Sequence, residues 1–262
     1  MSSLIDTSFD GHVHTRLCNH AVGEMEDYVI AAIRRGGLKT ICFLEHLETE
    51  ICYHPPCWLE DETFVSYFAE GARLKEVYRD KIEIRLGVEM GFNPRALAAI
   101  QKRLARFPIE RIGLSCHFHL HDDRHLNLLS RRRQSLDRLA ELGADAVVET
   151  YFSTLTTAVE CVDCDVLCHL DAVLRHLPGI RFNDSHKTQI TVLLDKLKQK
   201  GIALEINTSG FDYRGSPFPA PWIITEALAR GIPLQAGSDA HQPQEVGRYF
   251  EQLPRYLEAL RP

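Results

Sequence analysis

The chain of 262 residues is 45% apolar and 25% charged, the balance of a globular protein with a substantial core, and its length suits one α/β barrel of about 250 residues. With 30 Lys and Arg against 36 Asp and Glu, the formal net charge is −6, which argues against binding to a nucleic-acid backbone. No segment approaches the roughly 18 consecutive apolar residues of a membrane span, and the first ten residues lack signal-peptide features. The sequence therefore predicts no membrane partner, a cytoplasmic location and free cysteines, including the CxxC at Cys161 and Cys164.

Short β-branched runs alternate with longer amphipathic segments along the whole chain. The predicted strands are 9–13, 39–44, 82–88, 111–116, 165–168, 202–206 and 232–236. The predicted helices are 25–35, 62–78, 95–107, 136–142, 186–200 and 222–230, the fifth with an N-cap at 183–185 and a terminal Gly201. Such alternation indicates parallel strands joined by crossover helices. Because no GxGxxG follows the first strand, a closed barrel is favoured over an open doubly wound sheet, and no linker divides the single domain 1–262.

Polar residues of the types that bind metals lie at or just past the carboxyl end of every predicted strand. They are His12, His14, His20, Glu45, His46, Glu89, His117, His169, Asp171, Glu205, Asn207, Asp239 and His241. The carboxyl ends of barrel strands converge on one face, and side chains two residues apart on a strand point the same way, so His12 and His14 can chelate one ion. Imidazole and carboxylate ligands together suit Zn, Mn or Fe. The sequence therefore predicts a metal site at this face.

These residues stand in motifs that resemble those of a known family. The motifs are Phe9-Asp10-Gly11-His12-Val13-His14, Leu44-Glu45-His46, Gly87-Val88-Glu89, Ser115-Cys116-His117-Phe118, His169-Leu170-Asp171 and Gly237-Ser238-Asp239-Ala240-His241. Together they resemble the PHP (polymerase and histidinol phosphatase) superfamily, and within it the monofunctional histidinol-phosphatases. The resemblance implies a single-domain distorted (β/α)7 TIM-like barrel that holds three divalent metal ions (Zn, Mn or Fe) at the carboxyl ends of its strands.

The resemblance also implies a ligand set for each ion. The first ion would be held by His12, His14, Glu89 and Asp239; the second by Glu89, His117 and His169; and the third by His20, His46 and His241. The implied activity is hydrolysis of L-histidinol phosphate, in histidine biosynthesis, by a hydroxide that bridges metals.

Further residues are expected to act on the small phosphorylated substrate. By the same resemblance Arg175 and Arg214 would bind its phosphate, for which a guanidinium fork is well suited. Asp239, His241 and Asp171 are candidates for donating a proton to the leaving alcohol. Glu45 is expected to orient a ligand imidazole.

Several loops and one basic run have weaker expectations. The segment after His117, with His119, His121 and His125, is predicted to be a solvated loop, and the run 131–133 a solvated helix start. Substrate recognition could involve Glu48, Asp122 or Tyr213, and the loop with Tyr53, His54 and Trp58 could close over the ligand.

Three alternative functions remain open from the sequence. They are a PHP phosphoesterase for another small ester (a sugar, nucleotide or cyclic phosphate), an amidohydrolase-type C–N hydrolase, and a non-catalytic metal-stabilised module. The absence of a strand-end lysine argues against the second, and the complete ligand set argues against the third. No pattern indicates the oligomeric state.

Overall fold

Seven parallel strands alternate with helices in the computed structural model, which describes residues 3–177 and 181–261. The strands are β1 (Phe9–Val13), β2 (Thr40–Leu47), β3 (Glu83–Gly91), β4 (Arg111–Ser115), the hairpin β5 (Phe118–His121) and β6 (Arg124–Asn127), β7 (Val166–Leu167), β8 (Ala203–Asn207) and β9 (Leu234–Gly237). The helices are α1 (Met25–Arg35), α2 (Asp61–Tyr78), α3 (Leu97–Leu104), α4 (Arg133–Glu141), α5 (Ala144–Cys161), α6 (Asp184–Lys200), α7 (Gly210–Arg214), α8 (Pro221–Arg230) and α9 (Leu253–Glu258).

The large sheet runs in the order β1-β2-β3-β4-β7-β8-β9, and every neighbouring pair within it is parallel. It closes between β1 and the segment that follows β9, where Val13 bridges Ala240 and the amide of His14 donates to the Ala240 carbonyl at 3.0 Å. The strands therefore form a nearly closed (β/α)7 barrel, as the sequence predicts. Its distortion is clearest at β7, which is only two residues long.

The helices cover the outside of the barrel and bury a continuous apolar layer against it. Tyr28, Phe43, Phe64 and Phe152 are fully buried in this layer. Tyr67 of α2 is also fully buried, and its hydroxyl donates to the carbonyl oxygens of two adjacent strands. The predicted cap of α6 is confirmed, since the Asn183 side chain accepts the amide of His186 at 3.0 Å. None of the helices within residues 3–177 and 181–261 has the length and apolarity that a bilayer span requires.

The prediction of a solvated loop after His117 is wrong. Residues Phe118–His121 and Arg124–Asn127 pair as the antiparallel hairpin β5–β6. Asp122 and Asp123 connect the two strands with φ angles of 46° and 60°, and aspartate tolerates this left-handed conformation better than most residues do. The hairpin projects from the carboxyl end of β4, at the face where the candidate site lies.

Candidate metal centre

All nine predicted ligands lie together at the carboxyl ends of the barrel strands. The parallel register sets His46 of β2 beside Glu89 of β3, so these two side chains lie next to each other. The full set consists of His12, His14, His20, His46, Glu89, His117, His169, Asp239 and His241. Except for His20 and His241 at the mouth, these side chains are nearly inaccessible to solvent.

Glu89 lies at the centre of the cluster. Its Oε1 is 2.7 Å from Nε2 of His169 and 3.1 Å from Nε2 of His117. Its Oε2 is 3.0 Å from Nδ1 of His46 and 3.5 Å from Nε2 of His12. Because its two oxygens face different groups of imidazoles, this carboxylate has the position of a bridging ligand.

Two histidines at the mouth present facing ring nitrogens. The Nδ1–H of His20 donates to the Cys18 carbonyl at 2.8 Å, and that of His241 donates to the Asp239 carbonyl at 3.0 Å. In the neutral rings Nε2 then carries a lone pair, and these two Nε2 atoms are 2.9 Å apart. Two lone pairs that face each other repel, and a cation held by both relieves that repulsion. This arrangement fits a metal site.

Two carboxylates accept hydrogen bonds from candidate ligand histidines. Glu205 Oε1 accepts the Nδ1–H of His12 at 2.6 Å, and Glu48 Oε1 accepts that of His117 at 2.7 Å. Both carboxylates are buried. Such contacts fix the imidazole tautomer and leave Nε2 free to bind a metal. Glu48 therefore contacts a candidate ligand histidine and is not part of the described cavity lining, whereas the sequence suggests substrate recognition for it.

Several buried polar atoms of the candidate ligands have no hydrogen-bond partner. Nδ1 of His14, Nε2 of His46, Oε2 of Glu89 and Nδ1 of His169 are buried and lack a hydrogen-bond partner within the described part of the chain. Unsatisfied buried polar atoms are rare in proteins, and here four of them belong to candidate ligands. The donor set therefore fits divalent metal ions.

For His14 and Glu89, the surroundings favour the protonation states that metal ligands require. Burial, and then the neighbouring His46 and His241, hold the pKa of His14 well below its usual range, so this imidazole stays neutral. Burial alone would raise the pKa of Glu89, but the charges of the surrounding histidines, His117 first, lower it by more than burial raises it. The net pKa is below the usual value, and the carboxylate stays ionised. Metals bind neutral imidazole and ionised carboxylate.

Glu45 lies beside the first strand, close to His14. Its Oε1 accepts the Thr15 amide at 2.8 Å, and its Oε2 is 3.9 Å from Nδ1 of His14. Burial raises the pKa of Glu45 to about 8. At 3.9 Å the Glu45 and His14 atoms are not hydrogen-bonded, so orientation of a ligand imidazole by Glu45 stays a prediction.

A cavity of about 960 Å³ opens above the cluster. Arg175 lines it, and its Nε and Nη1 are buried without a hydrogen-bond partner among the described residues. Asp239 and His241, two of the candidate proton donors, also line the cavity. The described lining does not include Arg214 or Asp171, the other members of the predicted substrate site.

Arg214 and Asp171 instead pair with each other. Arg214 Nη1 donates to Asp171 Oδ2 at 3.0 Å, and the Ala220 amide donates to the same oxygen at 2.8 Å. Both side chains are thus engaged in a contact that connects α7 to the segment after β7.

The loop after β2 borders the cavity through Tyr53, as considered from the sequence. Trp58 of this loop packs edge-on against Phe118 of the hairpin, with ring centroids 5.9 Å apart. The Cys52 amide donates to His125 Nδ1 at 2.9 Å, so the hairpin supports this loop. Asp122 lies exposed at the tip of the hairpin.

The sequence profile of the PHP domain family matches residues 10–209, and a PHP-associated profile matches residues 224–259. The chain belongs to the PHP domain family. Among curated relatives, a probable histidinol-phosphatase of Deinococcus radiodurans is 30% identical over 92% of this chain and 89% of its own length. The histidinol-phosphatase of Bacillus subtilis is 26% identical over 92% of this chain and 96% of its own length.

A solved structure has the same fold as this PHP domain. The histidinol phosphate phosphatase of Lactococcus lactis aligns with a TM-score of 0.77 at 20% identity, over 98% of this chain and 94% of that one. That crystal structure is a complex with zinc, L-histidinol and phosphate.

Proposed function

We propose that this chain is a metal-dependent phosphomonoesterase that hydrolyses L-histidinol phosphate to L-histidinol and phosphate. The observation that carries the proposal is the pair of facing Nε2 atoms of His20 and His241, 2.9 Å apart, in the lining of a cavity that Arg175 also lines. The relatives named histidinol-phosphatases, and the one with L-histidinol and phosphate bound, support the choice of substrate. A cytoplasmic location remains a prediction from the sequence.

We propose three divalent ions, with the ligand sets that the family resemblance implies. The zinc in the Lactococcus structure supports zinc as one of the ions. His12, His14, Glu89 and Asp239 would hold the first ion, since Nε2 of His12 and Nε2 of His14 are 2.9 Å apart and Asp239 Oδ1 is 3.4 Å from the latter. The remaining sets are Glu89 with His117 and His169, and His20 with His46 and His241.

Bound divalent ions supply Lewis acidity and lower the pKa of coordinated water towards about 7. The chain's own residues then position the ester. The guanidinium of Arg175 binds the phosphate oxygens, because a bidentate fork matches two of them and offsets their charge.

The leaving group is a primary alkoxide, so a proton must reach its oxygen as the P–O bond breaks. Asp239 and His241 both line the cavity and are the proposed candidates. As metal ligands they would be an ionised carboxylate and a neutral imidazole, so either would relay to that oxygen a proton taken from solvent in the cavity. Asp171 is a weaker candidate, because Arg214 and the Ala220 amide already occupy its oxygens.

The deciding experiment is phosphate release from L-histidinol phosphate by protein reconstituted with Mn or Zn. Phosphate release from an aryl phosphate and from several sugar and nucleotide phosphates is measured separately for comparison. We expect a strong preference for histidinol phosphate that is lost on chelation. Equal weak activity on all esters would retain the phosphoesterase and exclude the named substrate, while no metal-dependent release from any ester would contradict the proposal and favour the C–N hydrolase.

A further inference from the structure

Four arginines border the cavity, and they differ in whether a carboxylate neutralises them. They are Arg131, Arg132, Arg175 and Arg248. Arg248 donates to Asp212 at 2.8 Å and lies 3.2 Å from Glu245. For Arg131 and Arg175, by contrast, no carboxylate within residues 3–177 or 181–261 lies at ion-pair distance.

Arg131 and Arg175 lie against the same aromatic ring. The guanidinium carbon of Arg175 is 4.7 Å from the centroid of the Tyr213 ring, and that of Arg131 is 5.5 Å from it. Arg131 Nη2 also donates to the Tyr213 hydroxyl. Tyr213 therefore contacts two positive groups at the edge of the cavity, and cation–π contacts offset only part of their charge.

Both positive charges affect the pKa of the neighbouring His176. Its ring lies 5.3 Å from that of Tyr213, measured between centroids. Burial, followed by the charges of Arg175 and Arg131, lowers the pKa of His176 to about 4. Three cationic or potentially cationic groups thus meet here, and the two that stay charged lack a counter-ion among the described side chains.

We propose that Arg131 binds the substrate phosphate together with Arg175, with Tyr213 in contact with both guanidinium groups. The proposal rests on the proposed function, because it takes a phosphate ester as the ligand. A phosphomonoester dianion supplies the two negative charges that this pair lacks, and each guanidinium can engage two of its oxygens. The predicted partner of Arg175, Arg214, already has Asp171 as its counter-ion.

The local chain explains why Arg131 is available for this role. The sequence predicts a solvated helix start over 131–133, but α4 begins only at Arg133, which pairs with Asp137 one turn later at 3.0 Å. Arg131 precedes the helix, and its extended neighbour Arg132 caps it. The side chain of Arg131 is therefore directed to Tyr213 rather than along the helix surface.

The test compares metal-loaded wild type with Arg131→Ala, Arg131→Lys and Tyr213→Phe. Arg133→Ala is the matched control, because Arg133 belongs to the same basic run but does not line the cavity. The measured quantities are kcat and KM for L-histidinol phosphate, and the affinity for inorganic phosphate by isothermal titration calorimetry.

We expect Arg131→Ala to raise KM about tenfold and to lower the affinity for phosphate about tenfold, which corresponds to about 1.4 kcal/mol. Arg131→Lys keeps the charge without the fork and should lose less, and Tyr213→Phe should lose less still because only the hydroxyl acceptor is removed. Arg133→Ala should stay within about twofold of wild type, a change of less than about 0.5 kcal/mol.

The outcomes separate this inference from the proposed function. If wild type does not hydrolyse histidinol phosphate, the proposed function fails, and calorimetry with inorganic phosphate still decides the role of Arg131. If Arg131→Ala does not fold, Arg131→Lys and Tyr213→Phe decide it by the same two readouts. The inference would be overturned if the folded Arg131 and Tyr213 variants bound phosphate as tightly as Arg133→Ala does. It would also be overturned if wild type did not bind phosphate.

Discussion

At the scale of single residues, two carboxylates, Glu205 and Glu48, are hydrogen-bonded to proposed ligand histidines. Glu205 accepts three hydrogen bonds at once, from His12 Nδ1, the His169 amide and the Asn207 side chain. It therefore orients one proposed ligand through its ring and another through its backbone. Glu48 orients only His117 among the proposed ligands.

Replacing Glu205 with glutamine should weaken metal binding without unfolding the barrel. Glutamine has nearly the same shape but no charge, so the Nδ1–H of His12 loses its strong acceptor and the ligand loses basicity. We expect about 10–100-fold lower metal affinity, measured as metal retained after dialysis against a weak chelator. Glu83→Gln, at an exposed residue that pairs with Arg85, is the control. A Glu205→Gln variant that retains metal as the control does would contradict this role.

At the scale of elements, two strands end in glycines that leave room for these carboxylates. A Cβ built on Gly237 at the end of β9 would lie 2.2 Å from Glu205 Oε1, and one built on Gly91 at the end of β3 would lie 2.1 Å from Glu48 Oε1. Real Cβ atoms do not approach oxygens so closely. A methyl group at either glycine must therefore displace the carboxylate from its histidine.

The prediction for this element is that Gly237→Ala acts through Glu205. Alone, the substitution should lower metal affinity about as much as Glu205→Ala does, because both separate His12 from its acceptor. In the double variant the second substitution should lower metal affinity little further. The metal affinities of wild type, the two single variants and the double variant form the double-mutant cycle that tests this. Fully additive losses would show that the methyl group acts on something else, such as the nearby Cβ of His12.

At the scale of the whole molecule, the proposed centre lies across the place where the barrel closes. His12 lies in β1 and His14 directly follows it, whereas Asp239 and His241 follow β9. Within the described chain, the backbone bonds that join these two segments include His14 N to Ala240 O and Asp239 N to His12 O, at 3.0 and 2.9 Å. Ions held by both segments would reinforce a closure with few hydrogen bonds of its own.

Removing the metal should therefore lower the melting temperature as well as abolish activity. Ligand at 100 times its dissociation constant stabilises the folded state by about 2.7 kcal/mol. In domains of about 150–250 residues, Tm shifts by about 2–4 °C for each kcal/mol of stability. We therefore expect Tm to fall by about 5–10 °C on chelation. Scanning calorimetry with and without chelator, with metal content measured in parallel, checks this. An unchanged Tm after confirmed metal loss would mean that the ions do not stabilise the closure.

The sequence predicts the seven strands and the bounds of α1 because their apolar periodicity is regular. It misses α5, whose Val147, Val148 and several threonines have low helix propensity, and whose helix is favoured by packing against the barrel. It places the nine candidate ligands at strand ends but cannot show that Glu48 contacts His117, or that Asp171 neutralises Arg214. Those pairs join residues 69 and 43 positions apart, and only the tertiary fold brings them together.

The closure also determines when the site can exist during synthesis. Asp239 and His241 lie in the last tenth of the 262 residues, so a nascent chain that has reached β8 carries seven of the nine proposed ligands and no closed barrel. A ribosome must translate the chain from β1 through the segment after β9 before the first and last strands can meet. Products of premature termination before Asp239 would contain the HxH pair and Glu89 yet lack one wall of the centre, and would therefore be released without a complete metal site.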